Sequence, residues 1–95
     1  MDLEGFKTSI AQDAPPDGLG LALQALWQDA KGDWEAAHKL AQAQTDETGA
    51  WVHAYLHRVE GDLRNAGYWY RKAGKPESTA PLKDEWEEIA AALLG

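Results

Sequence analysis

The run Lys31-Gly32-Asp33-Trp34-Glu35-Ala36-Ala37 returns as Glu60-Gly61-Asp62-Leu63-Arg64-Asn65-Ala66, each residue 29 positions after its counterpart. An offset kept through a Gly-Asp turn and the segments on both sides of it marks a duplicated helical hairpin, the unit from which stacked helical repeats are built. The expected fold class is therefore all-α, with two antiparallel hairpins in a chain of 95 residues that has room for one core.

The spacing of apolar residues places the helices. Leu19, Leu23, Leu26, Trp27 and Ala30 recur at helical intervals before Gly32, a residue suited to a left-handed helix end. Asp33 follows as an N-cap, its carboxylate set to accept N–H groups of the next helix, which carries Trp34, Ala37, Leu40 and Ala41 inward and ends near Gln44. In the second copy Trp51, Val52, Tyr55, Leu56 and Val59 form the stripe, Gly61 and Asp62 make the turn, and Leu63, Ala66, Gly67, Tyr70 and Ala73 share a face. Residues 1–18 read as a lead-in, in which Leu3, Phe6 and Ile10 suit a short amphipathic turn or two before Pro15-Pro16. Residues 19–45 and 47–74 are the hairpins. Residues 79–94 are a C-terminal capping helix, with Leu82, Trp86, Ile89, Ala90 and Leu93 on one side and Lys83, Asp84, Glu85, Glu87 and Glu88 on the solvated side.

The second hairpin resembles the tetratricopeptide-like family of helical repeats. Gly61-Asp62, Ala66, Tyr70 and Ala73 match that family's turn, small packing residue, aromatic and following small residue, and Ala54 matches the small position of the preceding helix. Tyr68-Trp69-Tyr70-Arg71-Lys72-Ala73-Gly74 is similar, more narrowly, to Sel1-type repeats. The first hairpin matches through Ala25, Gly32, Asp33 and Ala37, with Ala41 where an aromatic is expected. The period is 29 instead of about 34, and the Trp-x-x-Leu-Gly opening is missing. The resemblance spans roughly residues 20 to 75 and implies shortened repeats in right-handed superhelical stacking, binding a protein or peptide along one face.

Charge narrows the partners. The formal net charge of −7 opposes attraction to phosphate backbones, so nucleic acid is not expected. No stretch approaches the roughly 20 apolar residues of a membrane span, and Met1-Asp2-Leu3-Glu4-Gly5 lacks the basic start of a signal peptide. With no Cys in the chain, a cytoplasmic protein without disulfides is the expectation. Against this acidic background Arg58, Arg64, Arg71, Lys72 and Lys75 crowd one segment. Arg64 and Arg71 lie on nearly one helical face with Tyr68 between them, a surface suited to an acidic protein or peptide.

His53 and His57, one helical turn apart, are the other candidates. Their positions fall opposite the apolar stripe centred near Val59, which places them on a polar helix face, and Arg58 joins them in a groove. His38 stands where the second copy has Gly67 and points to a helix interface. No His-Glu-x-x-His pattern is present because Ala54 follows His53, and neither a metal nor another cofactor is expected. The chain also lacks a nucleophile elbow and a phosphate-binding loop. A binding module without intrinsic catalysis, using His53, His57, Arg58, Arg64, Tyr68 and Arg71, is the expected function. The alternatives are a metal-dependent or small-molecule enzyme centred on His53 and His57, with Glu60 or His38 as a third ligand, and a homo-oligomeric structural module.

Overall fold

The computed structural model describes all 95 residues, and every regular element in it is helical. There are six helices: α1 (Leu3–Ser9), α2 (Leu21–Ala30), α3 (Trp34–Ala43), α4 (Glu47–Val59), α5 (Leu63–Ala73) and α6 (Leu82–Leu94). Four of them start on an aspartate. Asp2, Asp33, Asp46 and Asp62 each accept the N–H of the residue three positions on, at 2.8 to 3.2 Å, satisfying a donor the helix leaves unpaired.

The sequence repeat is a repeat of backbone geometry at the turns. Gly32 and Gly61 have φ of 87° and 85°, left-handed values that cost a side-chain-bearing residue about 1–2 kcal/mol. Asp33 donates its N–H to the Gln28 carbonyl, as Asp62 does to that of His57, both at 2.9 Å. Each three-residue link turns the chain back, so α2 packs along α3 and α4 along α5.

Two features of this arrangement bear on the site. First, α4 is central, packed against α2, α3, α5 and α6, so Gly49 through His57 are buried without a break. At the start of this helix a Cβ on Gly49 would lie 1.8 Å from the Gln44 carbonyl oxygen, so only glycine fits there. Second, α6 lies against α1, α2 and α4, while α5 has only α4 along it. Trp86 Nε1 donates to the Leu26 carbonyl at 3.0 Å, drawing the last helix over α2 as well as α4.

The lead-in is a helix as well. Phe6 is fully buried and stacks on Trp86 with ring centroids 5.6 Å apart, and Trp27 Nε1 donates to Ser9 Oγ at 3.2 Å. Leu56, Ala66, Tyr70 and Trp86 are buried as their spacing predicts, but Trp34 is only half-buried and Leu63 is 63% exposed. Both open helices that follow a Gly-Asp turn. Trp34 leans on α4 and donates to the Leu56 carbonyl at 2.7 Å; Leu63 has no following pair to lean on.

Candidate functional site

The three histidines converge between α3, α4 and α5. One ring nitrogen from each of His38, His53 and His57 lies within 4.8 Å of the other two. His38 Nε2 and His53 Nε2 are 2.9 Å apart, so one of them carries the proton that it donates to the other. His57 Nδ1 is 2.7 Å from Glu60 Oε1; a carboxylate only accepts, which puts the ring proton on Nδ1. Asn65 Nδ2 sits 3.3 Å from the remaining nitrogen, Nε2. Indole rings wall the cluster: Trp34 stacks on His38 with centroids 4.9 Å apart, and Trp69 on His53 at 3.9 Å.

This placement corrects the expectation of a polar helix face lining a groove. His53 and His57 are 3% and 5% exposed. A helical wheel assumes one buried side, whereas α4 has neighbours all round, so the face opposite its apolar stripe is filled by α3 and α5. Burial, reinforced by the neighbouring imidazoles of His38 and His57, lowers the pKa of His53 to about 4. His38 is lowered too, chiefly by burial. Both rings are therefore neutral at pH 7.

Arg58 does not join the histidines. It leaves α4 on the side of α6, where Nη1 donates to Glu85 Oε1 at 2.6 Å and Nη2 to the Ala80 carbonyl at 2.5 Å. Glu85 itself, assigned from its spacing to the solvated side of the last helix, is 1% exposed. It also accepts from the Tyr70 hydroxyl at 2.5 Å. Burial opposes the charge on Arg58, but Glu85 more than offsets it and the pKa rises; Tyr70 is raised by burial and by its bond to Glu85. The three groups form a buried polar strut joining α4, α5 and α6.

Arg64, Tyr68, Arg71, Lys72 and Lys75 are all exposed, on α5 and just beyond it. No carboxylate comes within 4.0 Å of any of these four cations: the carboxylate contacts of basic side chains are Lys7–Glu87, His57–Glu60 and Arg58–Glu85. Lys72 lies over the Tyr68 and Trp69 rings at 5.5 and 5.7 Å, and Lys75 over Trp51 at 4.2 Å. Gly67 faces the Glu77 carboxyl, 3.0 Å from where a Cβ would stand. Alongside runs a groove of about 600 Å³ lined by the end of α3, the start of α4 and α5, with His53, Trp69 and Lys72 on its wall.

The site thus has two parts: a sheltered imidazole cluster, and a cationic aromatic face on α5 bordering the same groove. Sequence reasoning singled out His53 and His57 but had no measure of how near His38 would come. The signal lay in the repeat: His38 holds the place of Gly67, and that place faces the neighbouring pair of helices. No family model, curated protein or solved structure matches this chain.

Proposed function

We propose that the chain is a shortened tetratricopeptide-like module, with right-handed superhelical stacking of its helical pairs, that works in the cytoplasm and binds an acidic protein or peptide segment without catalysing a reaction. The observation that carries this reading is the outer face of α5. Only α4 runs along this helix, which presents Arg64, Arg71 and Lys72, with Lys75 just beyond its end, without ion-pair partners in a chain of net charge −7. Exposed cations near exposed or half-buried aromatics take a carboxylate well. The guanidinium groups bind it bidentately, and Tyr68, 45% exposed, adds apolar contact beside them.

A fluorescent oligoglutamate peptide is the direct probe. Binding should weaken as salt rises from 0.01 to 0.15 M, because the Debye length contracts from about 30 to about 8 Å. The double variant Arg64→Glu, Arg71→Glu should lose at least about tenfold in affinity, a free-energy change of about 1.4 kcal/mol, with its thermal midpoint unchanged because neither side chain packs in the core. Equal affinity of variant and wild type would remove α5 from the binding surface.

A further inference from the structure

We propose that His38, His53 and His57 form a binding site for one divalent first-row transition cation of borderline softness, zinc being the representative, with a fourth position left to water. The site goes beyond peptide binding on α5, and it stands or falls separately.

The donor set comes first. Three imidazoles with no thiolate and no carboxylate among them suit zinc, copper, nickel or cobalt, and do not suit calcium or magnesium, which take oxygen ligands. Three protein nitrogens also leave a four-coordinate ion one open position.

Spacing comes next. Zinc–nitrogen bonds of about 2.0–2.1 Å in tetrahedral array set the ligand nitrogens roughly 3.3 Å apart. His38 and His53 already stand at 2.9 Å, and no two of the three nitrogens are more than 4.8 Å apart. Closing on an ion therefore takes nitrogen movements of about 1.5 Å at most, within reach of ring rotation. The His38–His53 hydrogen bond holds two ligating nitrogens at nearly the distance an ion would require.

The surroundings also fit. The Nδ1–H of His57 is held by Glu60 at 2.7 Å, the carboxylate–imidazole pairing that orients a ligand ring and makes its other nitrogen more basic. The remaining nitrogen, Nε2, meets only the Asn65 amide at 3.3 Å, a long contact that an ion can replace. Trp34 and Trp69 stack on two of the rings and restrict their tilt. His53 lines the groove of about 600 Å³, which supplies the path by which an ion enters and by which water reaches the fourth position.

Packing alone does not call for histidines here. The positions 29 residues before His53 and His57 are Gln24 and Gln28, so the first helical pair fills the corresponding places with amides. The second pair replaces both with ligating side chains, and α3 brings a third to meet them.

Zinc titration of the full chain at pH 7.5, followed by calorimetry, tests the site. Saturable binding of one equivalent with a micromolar or tighter dissociation constant is expected; no saturable binding by the wild type overturns the proposal. Nitrogen-15 spectra of the imidazoles give a readout that needs no variant. The ring-nitrogen signals of all three histidines should move together and saturate at one equivalent, whereas a shift confined to one or two of them overturns the three-ligand site. His38→Gln, at the half-buried position, should cost at least about tenfold in affinity with its helical circular dichroism retained. Unchanged zinc affinity in folded His38→Gln also overturns it. Cobalt adds a check on geometry: a tetrahedral three-nitrogen site gives intense visible absorption and quenches the stacked indoles, and the weak spectrum of the hydrated ion would mean that no such site forms.

Discussion

Glu85 shows how much one residue can do in a core this small. Its carboxylate takes Arg58 on one oxygen and Tyr70 on the other, and no buried side-chain polar atom of the protein is left without a partner. Removing one member of such a set leaves the others stranded, which is worse than never having had them. Glu85→Ala should lower stability by about 3–5 kcal/mol in urea denaturation, while Tyr70→Phe, which deletes one hydroxyl, should cost about 1–3 kcal/mol. Tyr70→Ala adds a cavity and should cost about 3–5 kcal/mol. His53 makes the matching prediction in pH. Its folded pKa of about 4 lies below the unfolded value of 6.5, so the unfolded chain binds the proton first on acidification, and stability falls as pH drops from about 6.5 towards 4. At pH 5 the loss from this group alone should be about 1–2 kcal/mol relative to pH 7.5, measured with a chelator present. Asp29, whose carboxyl is raised by burial against the bond from Tyr55, acts in the opposite sense near pH 4. His53→Gln should flatten the slope between pH 5 and 7; an undiminished slope would assign it to other groups. Neither Glu85 nor His53 had its role legible in the sequence, because period and polarity describe a helix with one neighbour. Each lies on a helix with three or more.

At the scale of elements, the paired turns ask for paired costs. Gly32→Ala and Gly61→Ala both put a side chain at φ near 86° with no atom within 4 Å to clash, so each should lose about 1–2 kcal/mol, the two values agreeing closely. Gly49→Ala has ordinary helical dihedrals but meets the Gln44 carbonyl, and the backbone must move; its cost should exceed either, at about 3 kcal/mol or more. Equilibrium unfolding of the three variants would rank them. The turns were legible because Gly-Asp chemistry is local and recurs at a fixed offset. α4 starts a turn before the strict repeat would place it: Leu21 maps to Ala50, yet α4 begins at Glu47, where Asp46 supplies the cap. The course of α6 was not legible. A stripe of Leu82, Trp86, Ile89 and Leu93 says that the helix is covered on one side but not by which helices, and the choice of α2 and α4 over α5 is a matter of tertiary fit.

Across the whole molecule the helices are unequally held. α4 touches four others and should carry the slowest amide hydrogen exchange, whereas α1, a short helix that runs along α6 and is pinned to α2 by one side-chain bond, should exchange first. Phe6→Ala would empty the space against Trp86 and should cost about 3–5 kcal/mol, with the largest rise in exchange seen in α1 and α6. The meeting of α1 with α6 also carries a consequence for the nascent chain. Lys7 and Glu87, 3.3 Å apart in the folded protein, are separated by 80 positions in the polypeptide. At roughly 5–20 residues per second, α1 leaves the ribosome some 4 to 16 s before its partner exists. Both turns have been synthesised by then, and Phe6 spends those seconds with no Trp86 to cover it.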